Sequence, residues 1–483
     1  MLFCSSVSSQ FFTFYHFLFS SSHSSFCFRS LFRLTKMKML RCCAVVIVAA
    51  IAVSMVAAAP APAARGPVDP FHVHFAYGYD TARAMQLSWQ TQQDTVASLA
   101  LFGLQPGSRY YSAIGSSFTY NATAAGYFHA VSLYGLTPDT TYYVVVGDNN
   151  TNTYSAEFSF HTLPAALSAS KPDIKIAIYG DLGVDNAEYV VPDLINLAQQ
   201  DKVDFFMHVG DLSYADNYAD AQYEPIWEQF MTQMDPIYLV KPYMVNPGNH
   251  ESDGGWDNVQ HPFSPYNARF QMPYADSKST SNMWYSYNVA GLLHVVAMDT
   301  ETDFPLAPEG SSLFGGAQFA WLDADLAAAK AAGYKFIIVT GHRPIYSSQS
   351  GMSANNVPIS DCLNLQALLE PLLRKYGVDM MIVGHVHSAE VTYPVFNNTV
   401  VSTSYVNPGA TVHVVTGSAG CPEGIESVWI PATWSADRYP DPATAADPGF
   451  GYSLLTVNAT TLHYEFFRSD TSLEHELYLV KTQ

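Results

Sequence analysis

The fold of this 483-residue chain is best predicted from the stretch Gly210-Asp211-Leu212-Ser213-Tyr214. This stretch directly follows a largely apolar run, Val203–Val209, that is typical of a buried strand. The same pattern, a strand candidate followed by a glycine and then by side chains that can bind a metal, occurs four more times. The four strand candidates are Ile174–Tyr179, Tyr243–Val245, Phe336–Thr340 and Val378–Val383. These four stretches are Gly180-Asp181-Leu182-Gly183, Gly248-Asn249-His250-Glu251, Gly341-His342 and Gly384-His385-Val386-His387. Because α/β sheets gather ligands at the carboxyl ends of their strands, the five stretches predict one site.

Helical patterns alternate with these strands, at Ala187–Gln199, Gln318–Ala332 and Leu363–Tyr376. In the second helix, Phe319, Leu322 and Leu326 have the spacing of one apolar helical face. Alternation of strands and helices is typical of layered α/β domains. The sequence therefore predicts an α/β domain over residues 172–483.

Residues 65–165 follow another pattern, in which apolar and polar residues alternate in short runs separated by turn residues. The run Phe71–Phe75 is one example, and Met85–Gln90 is another. The stretch Gly135–Tyr142 resembles the corner of fibronectin type III domains, where a tyrosine hydroxyl binds the backbone. We predict an all-β sandwich that is accessory to the site, separated from the α/β domain by the Ser/Ala/Pro-rich stretch Pro164–Pro172.

Residues 1–64 have the features of an export leader. Lys38 and Arg41 precede the apolar stretch Cys42–Ala52, and small residues follow up to Ala64, which is typical of a secretory signal peptide. A start at Met37 or Met39 would give the peptide its usual length, so residues 1–36 are a dubious extension. A membrane anchor is the alternative, because the apolar run approaches the length of a span.

The charge and the cysteine content of the chain limit the classes of function that it can have. The chain has 22 basic and 42 acidic residues, and because the basic residues do not cluster in the sequence we exclude a binder of the nucleic-acid backbone. After the leader only Cys362 and Cys421 remain, which suits one disulfide in an oxidising compartment or two buried thiols. Four glycosylation sequons fit an exported protein; they begin at Asn121, Asn149, Asn397 and Asn458.

The donor side chains in the five stretches are carboxylates, an amide, imidazoles and a phenol. The lack of thiolates excludes structural zinc of the cysteine type. Seven donors are too many for one ion with an open position, but they suit two neighbouring ions that share a carboxylate. A phenolate favours a hard trivalent ion, whereas imidazole and amide suit a divalent ion. Each stretch alone could be an ordinary turn, but together they predict a binuclear metal site.

The five stretches, in this order, resemble the five sequence blocks of the purple acid phosphatases. Without Tyr214 they would resemble only the wider calcineurin-like metallophosphoesterases. The resemblance implies a four-layer α/β/β/α metallophosphoesterase domain, preceded by a fibronectin type III-like sandwich. It also implies an acid phosphatase that hydrolyses phosphate monoesters by attack of a metal-activated hydroxide.

The resemblance assigns a role to each donor. The implied ligands of a ferric ion are Asp181, Tyr214 and His387, those of a divalent zinc, iron or manganese ion are Asn249, His342 and His385, and Asp211 bridges the two. His250 is the implied catalytic residue, which would bind phosphate, stabilise the transition state and protonate the leaving alkoxide. The loop Arg343–Met352 lacks the consecutive histidines of some plant members, so a second leaving-group acid is not identified.

Two other functions stay open. A phosphodiesterase or nucleotide pyrophosphatase would use the same metals, because the sequence does not define the leaving-group pocket. A non-catalytic secreted binding protein would use the metals only for structure. We expect a small phosphate ester as substrate, no nucleic acid, no stable membrane anchor, and either secretion or delivery to a lysosome or vacuole. A homodimer is compatible with the sequence but is not indicated by it.

Overall fold

The computed structural model describes residues 65–120, 126–252, 262–349, 362–440 and 448–482. The leader predicted within residues 1–64 and the sequon at Asn121 lie outside these ranges. No helix in the described ranges is long and apolar enough to cross a membrane. The predicted boundaries between the sandwich and the α/β domain stay predictions, because residues 65–483 pack as one compact unit.

Nine strands form the amino-terminal part of the described chain. They are β1 (Phe71–Tyr77), β2 (Met85–Thr91), β3 (Leu99–Gly103), β4 (Tyr111–Ile114), β5 (Ser116–Phe118), β6 (Tyr127–Leu133), β7 (Thr141–Asp148), β8 (Thr153–Tyr154) and β9 (Phe158–His161). One antiparallel sheet has the order β1-β2-β6-β5, and a second has the order β4-β3-β7-β8 with β9 also paired to β7. The predicted all-β sandwich is confirmed.

The predicted tyrosine corner is present between β6 and β7. The backbone N–H of Thr137 donates a hydrogen bond of 2.8 Å to the hydroxyl oxygen of Tyr142. Leu136, beside it, is buried in the hydrophobic core. The bond holds the turn against the start of β7, and it satisfies a phenol oxygen whose ring is buried.

A six-stranded mixed sheet carries the first three of the five stretches. Its strands are β10 (Asp173–Tyr179), β11 (Phe205–Val209), β12 (Tyr243–Asn246), β22 (Gly451–Asn458), β23 (Thr461–Arg468) and β24 (Leu473–Val480). The order is β12-β11-β10-β22-β23-β24, with β10, β11 and β12 parallel to one another. The carboxyl ends of these three strands therefore lie at the same edge.

A seven-stranded mixed sheet carries the other two stretches. Its strands are β13 (Tyr285–Val289), β14 (Leu293–Ala297), β15 (Phe336–Thr340), β16 (Met380–Val383), β17 (Ala389–Thr392), β20 (Val412–Thr416) and β21 (Ser435–Tyr439). The order is β13-β14-β15-β16-β20-β17-β21, with β14, β15, β16 and β20 parallel. A small hairpin, β18 (Val395–Phe396) and β19 (Thr399–Val400), follows β17.

Six α-helices complete the described fold. They are α1 (Val191–Gln199), α2 (Asp220–Tyr238), α3 (Asn249–Ser252), α4 (Ser264–Arg269), α5 (Gln318–Ala332) and α6 (Leu363–Tyr376). The predicted bounds of α5 and α6 are confirmed at both ends. The helix predicted from Ala187 begins later, because a 3-10 turn at Ala187–Tyr189 precedes α1.

The two mixed sheets pack face to face, with helices outside them. Ile338 on β15 belongs to the same buried cluster as Ile176 on the other sheet. Its neighbours Ile337 and Val339 belong to a second buried cluster, together with Leu326 of α5 and residues of α6. Because successive side chains of a strand point to opposite faces, β15 contacts the other sheet on one face and the helices on the other. The implied layered metallophosphoesterase fold is confirmed.

The sandwich packs on α2 through buried charged groups. His72, on β1, lies 3.0 Å from a carboxylate oxygen of Asp235 and 3.2 Å from one of Glu228, and both acids are on α2. Arg269 is buried and lies 3.0 Å from Glu224, also on α2, while its guanidinium lies over the ring of Phe128 on β6. Burial opposes protonation of His72, but the two carboxylates raise its pKa above the usual 6.5.

We predict that His72→Gln destabilises the protein more in acid than in base. A histidine whose pKa is raised by folding contributes stability fully below its unfolded pKa, and loses that contribution as the pH rises through the folded pKa. The loss should be about 1–2 kcal/mol at pH 5 and smaller at pH 8.5. Thermal unfolding at both pH values measures it, with His161→Gln as a control, since His161 pairs with Asp139 on the surface. An equal loss at both pH values would contradict the ion-pair interpretation.

Candidate metal centre

All five stretches lie directly after the carboxyl ends of parallel strands, as predicted. Asp181 follows β10, Asp211 follows β11 and Asn249 follows β12 in the six-stranded sheet, whereas His342 follows β15 and His385 follows β16 in the seven-stranded sheet. The two edges are joined by hydrogen bonds, since the backbone N–H of His385 donates to Asp181 Oδ2 at 2.9 Å. The sequence-predicted donors therefore converge from both sheets.

Four of the predicted donors have a left-handed backbone conformation. Asp181, Asp211, Tyr214 and His385 all have a positive φ, between 52° and 68°. Residues other than glycine rarely adopt this conformation, and strained residues cluster at functional sites.

Two glycines let the donors approach the backbone. A Cβ added to Gly248 would lie 2.2 Å from Asp211 Oδ1, and one added to Gly384 would lie 2.3 Å from Asp181 Oδ2. Any side chain at these positions would displace a carboxylate. This is the physical reason for a glycine before the ligand-type residue.

Three predicted donors form a first group. The hydroxyl oxygen of Tyr214 lies 3.3 Å from Asp181 Oδ1 and 3.1 Å from His387 Nε2. The third separation, from His387 Nε2 to Asp181 Oδ1, is 3.5 Å. Burial and the Asp181 and Asp211 carboxylates raise the pKa of Tyr214 well above its usual value. A phenolate would therefore need a cation beside it.

The other four predicted donors form a second group. His342 Nε2 lies 3.0 Å from Asp211 Oδ2 and 3.1 Å from Asn249 Oδ1. Ligand atoms of Asp211, His342 and His385 all lie within 4.8 Å of one another. Burial opposes protonation of His342, yet Asp211 and Asp181 raise its pKa to about 9. The second group therefore attracts positive charge as well.

Two of the donor histidines, His342 and His387, are oriented so that Nε2 is the atom that would bind a metal ion. His387 Nδ1 lies 3.0 Å from the carbonyl oxygen of Gly424, and His342 Nδ1 lies 3.0 Å from that of Val209. A carbonyl oxygen only accepts, so each Nδ1 carries a hydrogen and donates it. In the neutral ring Nε2 then has a lone pair directed at the donor group, which is the usual arrangement of metal-binding histidines.

These atoms fit a pair of metal ions. Ligands about 2.0–2.2 Å from one ion lie about 3.0–3.5 Å from each other. The separations in the first group are of this size, as are those from His342 to Asp211 and Asn249 in the second group, where His385 lies within 4.8 Å of Asp211 and His342. His342 Nε2 faces two acceptor oxygens, of Asp211 and Asn249, so this position needs a positive charge, which a proton on Nε2 or a metal ion in its place can supply. The donor set contains oxygens and nitrogens but no thiolate, which suits iron, zinc or manganese.

His250 lies beside both groups. Its backbone N–H donates to Asp211 Oδ1 at 2.9 Å, and its ring centre lies 4.2 Å from that of Tyr214. Its Nδ1 lies 2.6 Å from Asp216 Oδ2, and its Nε2 lies 3.6 Å from Glu423. Burial opposes protonation, but Asp211, Asp216 and Glu423 raise the pKa of His250 to about 10. The ring is thus held as a proton donor.

Sequence reasoning missed the residues that support the donors. Glu251 is buried and accepts backbone hydrogen bonds of 2.8–2.9 Å from Asp211, Leu212 and Gly248, so it holds two of the five stretches together. The only feature of the sequence that could have indicated this role for Glu251 is its place in the stretch Gly248–Glu251. Asp216, which orients His250, carried no signal beyond lying two residues after Tyr214.

A second support comes from the segment after β14. Thr300 Oγ1 accepts hydrogen bonds from the backbone N–H groups of His342 and Arg343. Glu301 is buried and accepts from Arg343 Nε at 2.8 Å, while Arg343 Nη1 lies 3.2 Å from His385 Nε2. Arg343 is thus a cationic side chain in contact with the predicted donor His385, and it directly follows His342 in the chain.

The predicted disulfide between Cys362 and Cys421 is wrong, because the structure has both residues as buried thiols. The two side chains belong to different hydrophobic clusters, Cys362 with α5 and α6 and Cys421 with the core between the sheets. Cys421 Sγ lies 3.0 Å from the carbonyl oxygen of Gly424, the same oxygen that holds His387. The alternative of two buried thiols is the one observed.

The sequons differ in accessibility. Asn149 and Asn397 are exposed, whereas Asn458 is half-buried and its side-chain oxygen accepts hydrogen bonds from the backbone of Thr460 and Thr461. Glycosylation at Asn121, Asn149, Asn397 and Asn458 stays a prediction.

Comparison with known proteins agrees with this geometry. Three family models match: calcineurin-like phosphoesterase over residues 174–389, purple acid phosphatase N-terminal domain over residues 70–162, and iron/zinc purple acid phosphatase-like protein C over residues 410–475. Purple acid phosphatase 22 of Arabidopsis thaliana is 31% identical over 414 residues, covering 84% of each chain. Acid phosphatase type 7 of Homo sapiens is 34% identical over 315 residues, covering 61% of this chain and 64% of the relative.

Among solved structures, purple acid phosphatase PPD1 of yellow lupin (Lupinus luteus) has the same fold. The TM-score is 0.69 at 23% identity, and the match covers 86% of this chain and 75% of that one. The fold and the converging donors define a calcineurin-like metallophosphoesterase. Within that class, the chain belongs to the purple acid phosphatase family. It spans somewhat less than two thirds of the length of the acid phosphatase type 7 relatives that it matches.

We predict that Cys362 and Cys421 are both alkylated without prior reduction. The protein is unfolded in denaturant with iodoacetamide and no reductant, and the tryptic peptides are weighed by mass spectrometry. Each cysteine should carry its own carbamidomethyl group, because their side chains lie in separate clusters. Recovery of one cross-linked peptide containing both residues would contradict the structure.

Proposed function

We propose that this protein is an acid phosphatase that hydrolyses small phosphate monoesters at a binuclear centre of ferric iron and a divalent ion. The observation that carries the proposal is the convergence of seven donor side chains from two sheets in two adjoining groups, each of which contains a buried carboxylate. The names of the relatives support the reaction class.

The two groups suggest how the ions would be shared. Asp181, Tyr214 and His387 would hold the ferric ion, since a phenolate is a hard anionic ligand. Asn249, His342 and His385 would hold zinc, iron or manganese, and Asp211 would bridge the two. When bound, the ions would supply a nucleophilic hydroxide and neutralise charge on the phosphoryl oxygens.

The protein's own contribution to the chemistry centres on His250. With its Nδ1 held by Asp216, the ring presents Nε2 toward the Asp211 side of the donor groups, at 3.9 Å from Asp211 Oδ2. From there Nε2 can donate a hydrogen bond to a phosphoryl oxygen, and it can protonate the oxygen of the leaving alcohol. Asp216 is a positioning residue, because it fixes the ring without reaching the substrate.

Delivery of the mature protein to the exterior, a lysosome or a vacuole is proposed from the leader-like residues 38–64. An enzyme of such compartments would operate in acid, where the His72 ion pairs also contribute most to stability. We propose that the protein has neither a nucleic-acid partner nor a stable membrane anchor. We also propose the domain arrangement given above, with a leader in residues 1–64, a sandwich in residues 65–165 and an α/β domain in residues 172–483.

The main test compares p-nitrophenyl phosphate with bis(p-nitrophenyl) phosphate. We predict a clear preference for the monoester in kcat/KM. His250→Ala should lower kcat about 100- to 1,000-fold, because a general acid and a charge-stabilising donor are both lost. Asp216→Asn should lower kcat less, about tenfold, with little change in KM.

The controls separate the competing functions. Metal content is measured by elemental analysis in each variant, and it should be unchanged in His250→Ala. A strong preference for the diester would favour a phosphodiesterase or nucleotide pyrophosphatase instead. Full activity in His250→Ala would remove the assigned catalytic role, and a metal-loaded wild type without any activity would favour the non-catalytic binding protein.

The metal assignment has a spectroscopic test. We predict that Tyr214→Phe abolishes the visible absorption band of the purified protein, because that band arises from charge transfer between a phenolate and ferric iron. Tyr218→Phe is the matched control, since its hydroxyl donates to Asp185, which is not one of the seven predicted donors. Circular dichroism should show an intact fold in both variants. A band that persists in Tyr214→Phe would disprove the phenolate assignment.

A further inference from the structure

A carboxylate that has no role in the proposed chemistry lies beside His250. Glu423 Oε1 is 3.6 Å from His250 Nε2, and the same Nε2 is 3.9 Å from Asp211 Oδ2. Glu423 therefore borders the donor groups at the nitrogen from which His250 would protonate the leaving alcohol. A negative charge in this place repels an anionic phosphate ester, so its presence there requires a separate explanation.

The backbone around Glu423 is attached to one of the predicted donors. The carbonyl oxygen of Gly424 accepts a hydrogen bond of 3.0 Å from His387 Nδ1, and the backbone N–H of Glu426 donates one of 3.0 Å to the carbonyl oxygen of His387. These two bonds lie on the carboxyl side of Glu423, within three residues of it. The position of Glu423 beside the donor groups is therefore fixed by the backbone and not by its own side chain alone.

Glu423 and Asp216 flank the same imidazole ring but differ in exposure. The side chain of Asp216 is 8% exposed, whereas that of Glu423 is 45% exposed. Asp216 Oδ2 is at hydrogen-bond distance from His250 Nδ1, at 2.6 Å, but the 3.6 Å between Glu423 Oε1 and Nε2 is too long for a hydrogen bond. Asp216 is thus suited to orient the ring, and Glu423 is accessible to a molecule that enters the site.

One oxygen of Glu423 makes the polar contacts that this side chain has with described residues. Oε1 accepts a hydrogen bond of 3.3 Å from Asn217 Nδ2, and Oε1 is also the oxygen near His250. An ionised carboxylate has a second oxygen that accepts hydrogen bonds equally well. Oε2 can therefore accept from a ligand while Oε1 keeps its bond to Asn217.

We propose that Glu423 selects phosphate monoesters of amino alcohols, in which an ammonium group lies two carbon atoms beyond the ester oxygen. This inference rests on the proposed function, because it places the leaving oxygen at His250 Nε2. A hydrogen bond from Nε2 to that oxygen is about 3 Å long, so Glu423 Oε1 would lie within about 7 Å of the oxygen. An ammonium on a two-carbon chain can span this distance and donate to the carboxylate.

The test compares three esters of similar length, which are phosphoethanolamine, propyl phosphate and the phosphate ester of 3-hydroxypropanoate. At about pH 6 their alcohols carry a positive charge, no charge and a negative charge. Release of inorganic phosphate gives kcat/KM for each ester with the metal-loaded wild type and with Glu423→Gln. In the variant, the ratio of the cationic to the neutral ester should fall about three- to fivefold, and the ratio of the anionic to the neutral ester should rise similarly, because Glu423 is partly exposed and its charge is screened.

Glu157→Gln is the matched control, since it removes one negative charge on the sandwich, where Glu157 pairs with Arg109. It should leave both ratios unchanged. The three alcohols differ in their own reactivity, but this difference cancels when the variant is compared with the wild type. Unchanged ratios in Glu423→Gln, or an equal loss of kcat with all three esters, would overturn the proposal, because Glu423 would then only position His250.

A binding measurement separates this inference from the proposed reaction. 3-Aminopropylphosphonate and butylphosphonate match the chain lengths of phosphoethanolamine and propyl phosphate, but their carbon–phosphorus bond is not hydrolysed. Calorimetric titration of the metal-loaded wild type should show about three- to fivefold tighter binding of the aminophosphonate, and Glu423→Gln should abolish this preference. If no ester is hydrolysed, the proposed function is wrong, but a binding preference that depends on Glu423 would still support the selection. Equal binding of the two phosphonates to the wild type would disprove it.

Discussion

Buried negative charge at the meeting edge of two sheets is the constraint on which this structure depends. Asp181 and Asp211 are almost completely inaccessible to water, and the ring of Tyr214, which lies beside Asp181, packs against the ring of His250. Isolated carboxylates in such surroundings are costly, so the site needs compensating cations. The positive φ values of four donors and the contact between His342 Nε2 and two acceptor oxygens are consequences of collecting these groups in one place.

The surrounding fold meets that constraint with backbone hydrogen bonds. Glu251 binds three N–H groups of the loops after β11 and β12, and Thr300 binds two at His342 and Arg343. The carbonyl oxygens of Gly424 and Val209 fix the histidine rings. These contacts come from segments remote in sequence, so the site forms only when both sheets are assembled. None of the seven predicted donors lies in the sandwich, but the sandwich packs on α2, which begins six residues after Tyr214.

The sequence alone predicted the class of fold and the five strands that lead to the site, β10, β11, β12, β15 and β16, because apolar strand runs are local features. The metal-binding roles of the seven donors, inferred from their places after these strands, stay predictions. It also determined α5 and α6, whose apolar spacing is regular. It did not reveal α2, which contains Pro225 and Pro236, residues that normally argue against a helix interior. Tertiary structure decided that Cys362 and Cys421 lie in different clusters, that Asp216 orients His250, and that Glu251 joins two loops. These are contacts between remote segments, whose distances depend on how the two sheets pack and leave no periodic trace in the chain.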